Sequence, residues 1–223
     1  MHHPDYQEIS RRFRQHKEWD DDLPLEFARE NVDLFYLRFH SRGDSFLMGR
    51  DGYSCDQHSL KFSGEPVSQL PADCLVSENL NFRYPLVRDH DGRSSPRKHQ
   101  RAVILLHGLN ERSFTKYIPW AYQLWAHLRV PILLFPLSFH INRVNPYWGL
   151  GQHDTFTRRS SIPGNEHVHR FNAIMSDRLG SHPERFFWGA IQTFWDFVDL
   201  AATIRSGNHP HIARDARLDL LGF

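Results

Sequence analysis

The chain has 223 residues, 40% of them hydrophobic and 24% charged, with a formal net charge of +1, which is the profile of a globular protein able to bury one good core. So even a balance gives no electrostatic ground for binding nucleic acid or an anionic membrane. No apolar run approaches the ~20 residues of a membrane span, the N-terminus lacks the apolar segment of a secretory signal, and Cys55 and Cys74 are too few for a disulfide framework, so a reduced, cytoplasmic setting is the simplest account.

From the N-terminus, Ile9, Phe13, His16 and Trp19 recur among charged residues at helical spacing, and the spacing predicts a short amphipathic helix that Asp20-Asp21-Asp22-Leu23-Pro24 breaks. Between Phe35 and Leu47 the pattern is aromatic and partly alternating, with Gly43-Asp44 and Asp51-Gly52 as turns. Residues 1–79 read as an N-terminal extension of helix and short strands packed on a main domain over 80–223. Leu80 to Val87 then alternates as a half-buried strand, and Asp89 to Gln100 is a polar loop.

Val103 to Leu106 is continuously apolar, as a strand covered on both faces must be. Tyr117, Trp120, Ala121, Leu124, Trp125 and Leu128 share one helical face, and Pro131 to Pro136 is a second buried strand, completing a parallel crossover. A long irregular stretch follows, about 137–185, with a short helix near Phe171 to Leu179; loops of that length commonly cover or line a site. Phe187, Ile191, Phe194, Val198, Ala201 and Ile204 then mark the apolar face of a strong helix, widened by Trp188, Trp195 and Phe197. Leu218 to Leu221 is a third strand, expected to lie parallel to and beside Val103 to Leu106.

Two strand ends carry the chemistry. The first runs into His107-Gly108-Leu109-Asn110, and the second into Gly222-Phe223. In the G-x-S-x-G nucleophile elbow the serine follows the x residue on a sharp strand-to-helix turn, so Gly222-Phe223 is how such an elbow begins. The His-Gly strand end is where that same architecture places its oxyanion loop. There the N–H of Leu109, next to Asn110, would face negative charge developing on a carbonyl oxygen, and His107 would shape the loop.

These segments, with Glu111-Arg112-Ser113, Pro119-Trp120-Ala121-Tyr122 and Phe135-Pro136-Leu137-Ser138-Phe139-His140-Ile141-Asn142-Arg143, resemble an uncharacterised bacterial family of α/β-hydrolase-like proteins, over roughly the second half of the chain. The resemblance implies an α/β fold with a mostly parallel sheet flanked by helices. It also implies an activity of the serine esterase or lipase type, with a small-molecule ester or acyl substrate and no cofactor. In that pattern the strand continues into serine, and the acid and histidine lie further on. The chain as given therefore holds none of the catalytic triad, and its last strand is expected to be an exposed edge prone to self-association.

Competing assignments are weighed from the same residues. His140, Asn142 and Arg143 stand just past a strand's C-terminal end, where open parallel sheets bind ligands, and are expected to contribute to a pocket. Ser138 beside His140 lacks the glycines of an exposed elbow, and Ser113 is expected to cap the helix that begins near Thr115. His153-Asp154 and His167-Val168-His169 match no metal motif, and no metal is assigned. Besides the ester hydrolase, two alternatives stay open: a non-catalytic α/β-hydrolase-like domain that binds a ligand or protein, and an interaction module using the aromatic helix from Phe186 onward.

Overall fold

The computed structural model of the chain describes residues 6–15, 25–27, 31–43, 53–55, 60–62, 76–90, 98–144, 153–181 and 183–222. Its strands are β1 (Leu25–Phe27), β2 (Val32–His40), β3 (Tyr53–Cys55), β4 (Leu60–Phe62), β5 (Asn81–Asp89), β6 (His99–Leu106), β7 (Ile132–Phe135) and β8 (Ile212–Leu221). Its helices are α1 (Tyr6–Gln15), α2 (Ser77–Leu80), α3 (Ile118–Leu128), α4 (His153–Ser160), α5 (Arg170–Ser181) and α6 (Glu184–Arg205), with a 3-10 turn at Ile141–Arg143.

The chain divides into two units. The first joins Met1–Phe39, Arg83–Leu137 and Phe197–Phe223, and the second joins His40–Phe82 and Ser138–Asp196. Residues 1–39 of the N-terminal region fall in the first unit and 40–79 in the second. The N-terminal region is shared out, because its strands β1 and β2 enter the main sheet as members instead of packing on it.

In the first unit six strands run in the order β1-β2-β5-β7-β6-β8. β6 is parallel to both β7 and β8, whereas β5 pairs antiparallel with β7 and β1 antiparallel with β2. The class is α/β with helices, and the sheet is mixed, not mostly parallel, because the N-terminal strands enter it in antiparallel pairs. The pairing of the two apolar strand ends is as expected: Ala102 opposes Leu218, Ile104 opposes Leu220 and Leu105 opposes Leu221. Strand β8 is longer than its apolar end suggested, beginning at Ile212.

Ile132 to Phe135 are buried to the last residue, as the centre of a sheet requires, and Ala102 to Leu105 beside them are likewise out of solvent. Helix α3 begins with Pro119 in its first turn, where a missing N–H costs nothing. It buries Ile118, Ala121, Tyr122 and Trp125, and α1 packs against it with Ile9 fully buried. It ends on Arg129 in the left-handed region at φ 54°, whose N–H returns to Trp125 O at 2.8 Å while its guanidinium lies over the Trp125 ring.

In the second unit, Val76, Phe139, Phe171, Met175 and Trp188 form a hydrophobic cluster edged by Val144 and Ile191. The stretch expected to be irregular holds the 3-10 turn, α4 and α5. Helix α5 extends the expected Phe171 to Leu179 helix at both ends. Helix α4 escaped the sequence because its residues, His-Asp-Thr-Phe-Thr-Arg-Arg-Ser, carry almost no apolar periodicity, and packing against α5 supplies what propensity does not. His167 and His169 lie outside any strand; His169 Nδ1 accepts the Phe171 N–H at 3.2 Å at the start of α5.

Helix α6 is present as expected, with Trp188 and Ile204 buried as expected but the rest of the inward face shifted. Trp188, Gln192, Asp196, Leu200 and Ile204, each four residues apart, are buried. Phe187 and Phe194 of the expected apolar face are 47% and 61% exposed, and Val198 is exposed as well. Hydrophobicity chose a shifted stripe because the buried one contains two polar residues that are satisfied only by tertiary partners. Gly43 permits that approach: a Cβ there would stand 2.2 Å from Gln192 Nε2. Gly43→Ala should therefore displace Gln192 and cost roughly 2 kcal/mol, measured as a lower urea midpoint. An unchanged midpoint would show that the Gln192 side chain can move aside without penalty.

Candidate functional site

The carboxyl ends of β6 and β8 emerge together at one edge of the sheet, since Leu105 and Leu221 are paired and the strands run parallel. That edge is where open sheets with parallel crossovers bind ligands. Immediately past β6, His107 is buried and fully engaged: its Nδ1–H donates to Gly108 O at 2.8 Å, and its bare Nε2 accepts the Leu137 N–H at 2.9 Å. The ring thus fixes one tautomer and ties the loop after β6 to the loop after β7.

The next residues are held from the other side. Gly108 N–H donates to the hydroxyl of Tyr117 at 2.8 Å, and Tyr117 is itself buried. Asn110 turns the chain in the left-handed region at φ 60°. Between these fixed points Leu109 is 69% exposed, and its N–H has no hydrogen-bond partner among the described residues. An N–H presented in this way on a pinned loop is a preorganised donor. Gly222 is exposed, with nothing within 4 Å of where a Cβ would stand, and Phe223 lies outside the described residues.

Beside this loop is an open polar cleft of about 350 Å³, lined by Tyr6, Ser10, Glu111, Ser113, Thr115 and Lys116. Glu111 forms one wall and also abuts the loop, its Oε1 lying 3.9 Å from where a Gly108 Cβ would stand. Lys116 is ion-paired with Glu111 and sits 5.0 Å from the centre of the Tyr117 ring. The hydrogen bond to Glu111 holds its ammonium above the ordinary lysine value. Ser113 does not cap α3 directly; its Oγ accepts the Thr115 N–H at 3.4 Å and donates to Thr115 Oγ1 at 3.1 Å, shaping the turn before the helix.

The second unit places His140, Asn142 and Arg143 on one short segment after β7. His140 is 9% exposed and donates Nδ1–H to Ser138 O at 2.8 Å; Asn142 is half-buried. Arg143, expected to contribute to a pocket, is directed into the interior of the unit. It is wholly buried, with Nη2 2.7 Å from Asp196 Oδ2, Nε 3.1 Å from Asn79 Oδ1 and its guanidinium 4.0 Å over Phe82. Burial pushes its pKa down to about 10 against the opposing pull of Asp196, so it stays charged at neutral pH.

Around that pair runs a network that sequence reasoning missed. Ser41 Oγ donates to Asp196 Oδ1 at 2.5 Å, Gln192 Nε2 donates to Ser41 Oγ at 3.0 Å, and Asn79 Nδ2 donates to Gln192 Oε1 at 2.7 Å. Asn79 Oδ1 also accepts the Phe139 N–H at 3.0 Å. The one readable signal was a Gln and an Asp four residues apart on an otherwise aromatic helix. Ser138 is not activated by His140: its Oγ donates to Gly189 O at 2.5 Å, and the histidine bonds only its carbonyl.

Among the described residues no helix is long and apolar enough to cross a membrane, and no three or more His, Cys, Asp or Glu side chains are grouped to hold a metal ion. No curated protein and no solved structure matches the chain. A family described as of unknown function, DUF6051, matches it over residues 1–223, and the chain belongs to that family.

Proposed function

We propose that the chain carries the oxyanion side of an α/β-hydrolase-like acyl-transfer site and that, with a serine standing directly beyond Phe223, the protein hydrolyses carboxylic esters in the manner of a serine esterase. The observation that carries this reading is the Leu109 N–H, held without a partner among the described residues at the sheet edge where β8 runs into Gly222. A serine on a turn after Gly222-Phe223 would attack the ester carbonyl, and the oxyanion would be received by the Leu109 N–H and by the N–H following the nucleophile. His107 is not the general base, because both its ring nitrogens are committed to backbone groups. It keeps Leu109 in place, and the base and acid come later in the chain order of this fold.

The test is to read the gene beyond Phe223 and assay the encoded protein. The codon after Phe223 should encode serine, and p-nitrophenyl acetate turnover should vanish when that serine becomes alanine. Another residue there, or turnover that survives the replacement, rejects the reading.

A second reading, a non-catalytic domain that binds a protein partner, is favoured by a separate observation. Phe186, Phe187, Phe194 and Val198 of α6 are exposed, and apolar surface of that extent on one helix is more common at interfaces than elsewhere. Strand β8 is the last in the sheet order, with Leu220 and Leu221 exposed, which supports self-association through that edge.

A further inference from the structure

We propose that the polar cleft beside the oxyanion loop is a subsite for a polyhydroxylated, sugar-like group. Its role as the place for the polyol part of an ester substrate rests on the acyl-transfer reading, while binding itself does not. The lining sets the chemistry. Ser113 and Thr115 supply hydroxyls: Ser113 Oγ already donates to Thr115 Oγ1, which leaves the Thr115 hydroxyl proton to donate, while the Ser10 hydroxyl is buried in the wall and out of reach. Glu111 adds acceptors and Lys116 adds donors, and because the two are paired with one another the cleft carries no net charge toward a ligand.

That internal neutralisation disfavours a free anion, which would have to displace Glu111 from Lys116 and then face its carboxylate. An acyl chain is disfavoured too, since no aliphatic side chain lines the cleft. Tyr6, 48% exposed, offers the one aromatic face, of the kind on which the C–H side of a pyranose ring stacks. About 350 Å³ is at the small end for ligand sites and suits one ring, not a chain. The cleft also borders the site proposed above, through Glu111 beside Gly108.

The experiment measures binding on the 223-residue chain, without turnover. Methyl glucoside, methyl galactoside and methyl mannoside are titrated by saturation-transfer NMR and calorimetry, with inorganic phosphate and sodium butyrate as counter-probes. At least one glycoside should bind in the millimolar range. The pair Ser113→Ala with Thr115→Val should weaken it about tenfold, the equivalent of one lost hydrogen bond to a ligand, as should Tyr6→Ala, made on the exposed side of α1, with melting curves confirming that each variant is folded. No binding by any of the three glycosides, binding indifferent to both variants, or preferential binding of phosphate or butyrate overturns the proposal. A chain that binds glycoside while a protein bearing serine directly after Phe223 fails to cleave esters would reject only the acyl-transfer reading.

Discussion

Replacing Arg143 by methionine or Asp196 by asparagine is expected to cost the fold about 3–5 kcal/mol, the usual penalty for leaving one member of a buried ion pair uncompensated. Both side chains are essentially without solvent contact and lie 2.7 Å apart. With Arg143 gone, Asp196 loses the guanidinium at 2.7 Å and keeps the Ser41 hydroxyl; with Asp196 neutral, the guanidinium keeps the Asn79 oxygens and the Phe82 ring but loses that carboxylate. Urea unfolding should show the midpoint falling at nearly unchanged slope. The joint variant, Arg143→Met with Asp196→Leu, should be more stable than the sum of the single losses predicts, because it removes both charges together. Strict additivity would mean that the pair is not the source of the cost.

The network matters beyond its own energy because of what it restrains. Phe139 and Ile141 both stand at positive φ, 59° and 53°, and for a β-branched residue such as Ile141 this is an outlier costing on the order of 1–3 kcal/mol. Asn79 holds this segment at two points, accepting the Phe139 N–H and the Arg143 Nε–H on one oxygen. Strain of this kind persists where the surroundings over-determine the backbone, and here Asn79 and the Arg143–Asp196 pair supply the determination. The segment follows β7 at its C-terminal end, so its shape is set by buried polar contacts and not by loop sequence alone.

Those contacts also mark where the sequence stopped being readable. Strands β5, β6 and β7, helix α3 and helix α6 are legible because each is specified locally, by alternation, by an unbroken apolar run or by helical spacing. The pairing of β6 with β8 followed from two apolar runs that both end in glycine turns. What failed was whatever depends on partners far along the chain. Gln192 and Asp196 look like solvent-facing residues until Ser41, more than 150 positions earlier, is found bonded to both, so the middle of the buried face of α6 was read wrongly. The end of β6 at Leu106 was readable from the His-Gly that follows it, but Tyr117, which fixes Gly108 by one hydroxyl, read only as an apolar helix residue. The polar cleft was invisible for the same reason, since α1 supplies Tyr6 and Ser10 from the other end of the chain.

Acid should unfold the first unit through His209, with about 3 kcal/mol lost between pH 6.5 and 4. His209 is buried, and its Nδ1 accepts the N–H groups of His211 and Ile212 at 3.2 and 3.1 Å, so Nε2 carries the proton and donates to the Tyr84 hydroxyl at 3.2 Å. Charging the ring means placing a proton on the nitrogen that both amides occupy. Burial first, and the nearby Lys98 ammonium second, together lower its pKa to about 4. Tyr84, also facing the ring, is kept protonated by burial and supplies no counter-charge; the His211 ring lies 6.3 Å away, centroid to centroid. Above pH 6.5 His209 is neutral in folded and unfolded chains alike, and its contribution is flat. As the pH falls through 6.5 the unfolded chain takes up the proton first, so stability drops until the folded form can be protonated near pH 4. His209→Gln cannot take that proton, and although it starts less stable at pH 7, its stability should decline less steeply across the window. Carboxylates titrate in both proteins, so the difference between the two urea-midpoint curves isolates the histidine, and parallel curves would show that His209 is already charged in the fold or readily hydrated there.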